Sequence, residues 1–345
     1  MFCINIVLIV VFLVFSLKEK ENNMFLGGGE IDTLQQKVID WFSKTSNVVV
    51  QVVAEEKTTY YQEWYSNQNN FLEKSSIQKK WSAIIVSNKG YIITNNHVVD
   101  DVNLKYSIIT NNWNIYWVNN VRKDDFLDLA IISVNFENKN KTEAKFVDID
   151  SDINIGQFVF AIWNSLSEYI NTISFGIISW KWRKIDVENS KNIYYAGLYQ
   201  TDVALNPGNS WWPLINLSWE VIGMITAISR WWNNIWFALP LNRNIIKATI
   251  DSIEENNTLL RPYLGLAYTD TKTWAIVDTV FSWSPVQWQI LTKDIILEID
   301  KRKVSIEKPL LYYLYSYKPL DTVIVTILRD SKILSIPIVL WQKTL

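Results

Sequence analysis

The chain has 345 residues, with 33 Lys and Arg against 35 Asp and Glu and a net charge of −2, and it has no basic stripe or tail of the kind that binds nucleic acid. Its single cysteine, Cys3, excludes an intrachain disulfide. One Cys and one His cannot supply the usual ligands of a zinc site, so none is expected. The run FCINIVLIVVFLVFSL, residues 2–17, is slightly short of the ~20 apolar residues that span a bilayer as a helix. It reads as a signal peptide or an uncleaved signal anchor within residues 1–23, and the lack of a small-x-small cleavage site favours the anchor. Residues 24–44 read as a linker, with a break at GGGE and a short amphipathic helix in IDTLQQKVIDWFSK.

From Asn47 onward the pattern is one of short strands: NVVVQVVAE, SAIIVS, YIITNN, YSIIT, LAIISV, QFVFAI and VIGMITAI. They are rich in β-branched residues and separated by Asn, Asp, Ser, Lys and Gly turns. No helical segments alternate with them, which argues against a parallel βαβ fold and for an all-β barrel or sandwich. The polar stretch EKTTYYQEWYSNQNNFLEKSSIQKK is read as a long surface loop. Residues 241–256 recover a helical period, with Ile245, Ile246, Thr249 and Ile253 on one face. NNTLLRP follows as a linker, and a second, mainly β unit begins near Pro262, with a possible helix at PLLYYLYS.

Three residues carry candidate chemistry. The only histidine, His97, ends the strand of GYIITNNHVV, where its imidazole can reach a cleft and work as a base near neutrality. Alone, a histidine is more often structural. Asp128 in FLDLAIISV is an acid among apolar residues, either a partly exposed turn residue or the partner that orients the imidazole. Ser210 ends TDVALNPGNS, a tight turn whose backbone N–H groups at Gly208 and Ser210 can converge on an oxyanion.

In the order His97, Asp128, Ser210, with the blocks GYIITNNHVV, DLAIISV, QTDVALNPGNS, PLIN and EVIGMIT, the chain resembles the HtrA/Deg serine proteases. YLGL, residues 263–266, is similar to the carboxylate-binding loop of a PDZ domain. The resemblance implies a mainly β fold, with a two-barrel chymotrypsin-like protease domain (45–256) followed by a PDZ domain (257–345). It implies Ser210 as nucleophile, His97 as general base and then acid, and Asp128 as the orienting carboxylate. Gly208 and Ser210 would form the oxyanion hole, and Ala204, six residues before Ser210, would line the specificity pocket. Tyr263, Leu264, Gly265 and Leu266 would bind peptide C-termini.

The implied function is a serine endopeptidase of protein quality control and stress response, degrading unfolded or damaged exported proteins through an acyl-enzyme, without metal or cofactor. Its expected setting is extracytoplasmic in the cell envelope, membrane-anchored through residues 2–17 or exported, as a homotrimer. The competing reading is an inactive protease-like PDZ protein that only holds unfolded chains.

Two counts are abnormal: 18 Trp and only 10 Gly, where usual composition gives roughly 24 Gly. Trp stands where the resembled family has glycine at Trp81, Trp163, Trp182, Trp211, Trp212, Trp219, Trp236, Trp274, Trp283 and Trp288. Trp tolerates neither positive φ nor close backbone approach. An indole at 211 or 212 is expected to press into the substrate cleft, and the chain made literally as written is expected to misfold or be inactive. An aromatic binding surface would form a stripe, which singly scattered Trp do not. Degeneration of a former protease does not explain why glycine positions always become Trp while His97, Asp128 and Ser210 are kept. UGA codons that are read as glycine in the cell, but written as Trp, account for the counts and the positions together.

Overall fold

The computed structural model describes residues 36, 38–40, 42–43, 45–61, 71–124, 127–137, 142–163, 172–186, 194–204, 212–228 and 235–344. They fall into two compact units, 1–45 and 46–345. The described residues of the first are helical up to Thr45. Gln36 Nε2 donates to Asp40 Oδ1 at 2.9 Å, one helical turn on. The apolar run 2–17 lies outside the described residues, among which no helix is long and apolar enough to cross a membrane.

The second unit opens with a closed six-stranded barrel. Its strands are β1 (Val49–Tyr61), β2 (Phe71–Ser87), β3 (Tyr91–Asn95), β4 (Lys105–Ile109), β5 (Ile115–Asp124) and β6 (Leu129–Val134), in the order β1-β2-β3-β6-β5-β4. β4 pairs back onto β1, Gln51 opposite Ile109, so the ring has no open edge. Val50, Val52, Ile85, Ile92, Ile108 and Ile132 fill it. Each such side chain contributes about 1.5–3 kcal/mol on burial.

Part of the stretch read as a surface loop is ladder instead. β1 and β2 stay paired from Glu55 opposite Ile77 out to Tyr61 opposite Phe71, past a bulge at Ala54/Glu55. The strand-forming run Thr-Thr-Tyr-Tyr, with Tyr60 opposite Leu72 and Tyr61 opposite Phe71, outweighs the polar composition around it.

A short β7 (Lys145–Phe146) leads to the second barrel. Its strands are β8 (Phe158–Trp163), β9 (Thr172–Asp186), β10 (Tyr194–Thr201), β11 (Pro213–Asn216), β12 (Glu220–Ile228) and β13 (Trp236–Pro240). The order β11-β8-β9-β10-β13-β12 closes through β11–β12, and β7 lies parallel to β12. The fold is therefore the two-barrel, chymotrypsin-like arrangement that the sequence predicts. A feature of the second barrel differs from expectation. Trp212 does not enter a cleft but is fully buried in the second barrel with Val159, Ile178, Leu214, Ile222 and Trp236.

Helix α1 (Arg243–Asn256) follows, starting where Asn242 Oδ1 accepts from Ile245 N at 2.9 Å. It ends at Asn257 in the left-handed region (φ 54), whose N–H returns to Ile253 O. The apolar face foreseen at Ile245, Ile246, Thr249 and Ile253 is buried.

The segment read as a linker after α1 is structured. β14 (Leu260–Tyr263) pairs with β21 (Trp341–Thr344). Arg261 in it is buried, and its Nε donates to the equally buried Asp124 Oδ2 at the end of β5, 2.8 Å away. The Tyr315 ring lies 5.3 Å from that guanidinium. A buried pair of this kind holds only because each charge has the other, so β14 cannot act as a loose tether.

The rest is a sheet of β15 (Leu266–Asp270), β16 (Ala275–Val280), β17 (Ile295–Ile299), β19 (Thr322–Arg329) and β20 (Lys332–Val339), with β18 (Arg302–Lys303) off β17 and helix α2 (Leu310–Leu314) across it. Val277, Ile296, Leu310, Val325, Ile327 and Ile338 form its core. This is the PDZ module expected from YLGL, and α2 falls within the predicted PLLYYLYS.

Candidate active site

His97 sits in a 3₁₀ turn, Asn96–Val99, directly after β3. Val98 and Val99 are buried in the first barrel and anchor the turn, while the His97 side chain keeps 49% of its surface exposed. Asp128 precedes β6 with φ at 48, a left-handed conformation that Asp tolerates better than most residues. The antiparallel register of β3 and β6, Asn95 opposite Leu129, brings the two turns together. Asn96 N then donates to Asp128 O at 2.9 Å.

The Asp128 carboxylate is almost wholly buried and surrounded by donors. His97 Nδ1 lies 3.0 Å from Oδ1 and 3.1 Å from Oδ2. His97 N donates to Oδ1 at 3.4 Å. Oδ2 accepts from Asn95 Nδ2 at 3.0 Å and from Thr226 Oγ1 at 2.8 Å. Thr226 belongs to β12, so the carboxylate is held from both barrels at once. An ionised carboxylate only accepts, so Nδ1 carries the ring proton and Nε2 is left as the basic nitrogen.

A trough of about 850 Å³ opens beside His97, walled by Glu56, Lys79, Trp81, Asp101 and Tyr106. From the second barrel, the chain approaches residue 205 along a pinned path. Thr201 Oγ1 donates to Ile177 O at 2.8 Å, Asp202 Oδ1 accepts from Ile177 N at 2.8 Å, and Ser174 Oγ donates to Ala204 O at 2.7 Å. Ala204 is exposed and uncharged. Gly208 and Ser210 lie outside the described residues.

Asn95 and Thr226 were not singled out from sequence. Thr226 carried a signal, as the one hydroxyl in the apolar run VIGMITAI. Asn95 carried none, standing among the polar residues of TNNH.

In the PDZ module, Tyr263 ends β14, Leu264 is buried in the core and Leu266 opens β15. Gly265 has φ at +80, and a Cβ there would fall 2.1 Å from Ser284 Cβ. Only glycine fits that turn.

Comparison with known proteins agrees with this architecture. The family model described as a Trypsin-like peptidase domain matches residues 81–224, and that of a PDZ domain matches 262–340. A probable periplasmic serine endoprotease DegP-like from Marinomonas sp. (strain MWYL1) is 29% identical over 267 residues, covering 73% of this chain and 54% of that protein. The chain spans about half the length of the first curated relatives it matches. Among solved structures, the HtrA-type protease AlgW with decapeptide superposes with a TM-score of 0.61 over 89% of this chain and 99% of that one, at 22% identity. That likeness concerns the fold. The Serine protease Do-like HtrA of Lactobacillus helveticus is 30% identical over 292 residues, covering 77% of this chain and 69% of that protein. With identity sustained over more than two thirds of a Do-like protease, and a peptidase module and a PDZ module in this order, the chain belongs to the HtrA/Deg family of serine proteases.

Proposed function

We propose that the chain is a serine endopeptidase that hydrolyses peptide bonds through an acyl-enzyme. The observation that carries this reading is the contact of His97 Nδ1 with the buried Asp128, which leaves Nε2 as the basic nitrogen of a half-exposed ring. In the mechanism, Nε2 takes the Ser210 hydroxyl proton as Oγ attacks the scissile carbonyl carbon. The N–H groups of Gly208 and Ser210 stabilise the oxyanion. The imidazolium then gives its proton to the leaving amine. Water, activated by the same nitrogen, releases the acid and restores Ser210. Asp128 stays ionised throughout and stabilises the imidazolium.

A fluorophosphonate serine-hydrolase probe tests the reading. With glycine restored at Trp211 and Trp212, the full chain is expected to label at Ser210, and Ser210→Ala in it to lose all labelling. A wild-type chain that stays unlabelled under conditions where it is folded would favour a binding protein without catalysis.

Small, uncharged Ala204 supports a preference for small or medium aliphatic residues at the position before the cleaved bond. A peptide-library profile is expected to show it, and a clear preference for Lys or Arg there would refute it.

The protease domain of the proposed enzyme spans 45–256 and its PDZ domain 257–345. Unfolded or damaged exported proteins are its substrates, and exposed peptide C-termini engage Tyr263–Leu266. The periplasmic naming of a relative supports an extracytoplasmic setting in the cell envelope, with residues 1–23, and the apolar run 2–17 in them, as signal or membrane anchor. A homotrimer is part of the same reading, and light scattering on the eluting protein measures it.

A further inference from the structure

Asn95 ends β3 and occupies the N-cap position of the turn Asn96–Val99. An asparagine there ordinarily turns its side-chain oxygen onto a backbone N–H of the turn. This one makes no capping bond. Its side chain is fully buried, and Nδ2 donates to Asp128 Oδ2 at 3.0 Å. Oδ1 is buried without a hydrogen-bond partner among the described residues. A half-satisfied amide is a costly choice for a core position, and an apolar residue of the same shape would avoid the orphaned oxygen. Stability therefore does not account for the amide; its bond to the carboxylate does.

We propose that Asn95 is a positioning residue for Asp128. Asn95 from the first barrel and Thr226 from the second hold Oδ2 between them, so the carboxylate cannot rotate about its Cβ–Cγ bond. The carboxylate is thereby kept with Oδ1 towards the backbone N–H of His97 and both oxygens in reach of its Nδ1. Asn95 touches neither the imidazole nor the scissile bond, and acts only through Asp128. This assignment rests on the protease reading for its kinetic consequence, but not for its geometry.

The test compares the full chain with Asn95→Leu, which keeps the branched shape and removes the donor. The expected result is a fall in kcat of about tenfold with KM unchanged, as for one hydrogen bond to a charged group. His97 is the only histidine, so its Nδ1–H proton resonance is unambiguous, and it is expected to move in the variant. Unchanged kcat with an unmoved resonance would overturn the proposal. If Asn95→Leu does not fold, Asn95→Ala is read the same way. If neither folds, the wild type decides: the Asn95 amide protons must be protected from exchange and shift as His97 titrates, and freely exchanging, unshifted amides would refute the role. A wild type without peptidase activity or probe labelling would sink the protease reading, and the resonance comparison would still decide on Asn95.

Discussion

Asp128→Asn is expected to lower kcat by about 10⁴, the scale seen when the acid of such a triad becomes an amide. The geometry gives the reason. Oδ2 accepts from two donors, Asn95 Nδ2 and Thr226 Oγ1. An asparagine at 128 that keeps both bonds presents its oxygen to them and its NH₂ to His97. Nδ1 then becomes the acceptor and the ring proton moves to Nε2, the nitrogen that has to receive the serine proton. The base is lost without any change in shape. KM should change little, because Ala204 and the segment leading to Ser210 are pinned to β9 rather than to Asp128. Nitrogen NMR of the single imidazole reports the tautomer directly. A variant within tenfold of wild-type kcat, or one that keeps the proton on Nδ1, would refute the assignment of Asp128.

The sequence carried some parts of this arrangement and hid others. Strands were legible because Val, Ile and Thr recur in short runs between turn residues, and α1 because its apolar face repeats at helical spacing. His97 stood out as the only histidine, at a strand end, and Asp128 as an acid bracketed by apolar residues. Thr226, the one hydroxyl of VIGMITAI, could not be assigned a role, because its meaning lies in a carboxylate 98 residues away on another barrel. Arg261 was hidden for a similar reason. A charge in a polar stretch looks solvated until packing buries it against Asp124. The hairpin of β1 and β2 was hidden by composition, since backbone pairing tolerates polar residues that a hydrophobic pattern counts against a strand. Trp212 shows the converse. An indole expected to block a cleft found space in a barrel core, which local pattern cannot foresee.

Replacing Trp113, Trp219, Trp283 and Trp288 together by glycine is expected to stabilise the protein. All four have φ between 59 and 72, where a bulky L-residue is strained. Two of them occupy the same place in equivalent turns. Trp219 N donates to Asn216 O at 3.1 Å in the β11–β12 hairpin, and Trp113 N to Thr110 O at 2.8 Å in the β4–β5 hairpin. Each is the third residue of a three-residue loop, the position that a type I turn with a bulge reserves for glycine. Trp283 and Trp288 are 85% and 86% exposed, so their indoles lose little burial when removed. Relief of left-handed strain, roughly 1–2 kcal/mol per site, outweighs the entropy glycine adds to the unfolded chain, about 0.5–1 kcal/mol. Four separated sites should sum to ~3 kcal/mol, a rise in Tm of roughly 10 °C for domains of this size. Trp236→Gly should go the other way by about 3–5 kcal/mol, because that indole is buried in the second barrel. The opposite signs separate positions where the backbone calls for glycine from those where the core has closed on an indole. Codons read as glycine in the cell would appear in the native protein as glycine at Trp219 by mass spectrometry, and UGG codons there would refute that origin. A quadruple variant no more stable than its parent would mean that contacts of the indoles outweigh the strain, and would remove the physical case for glycine at these turns.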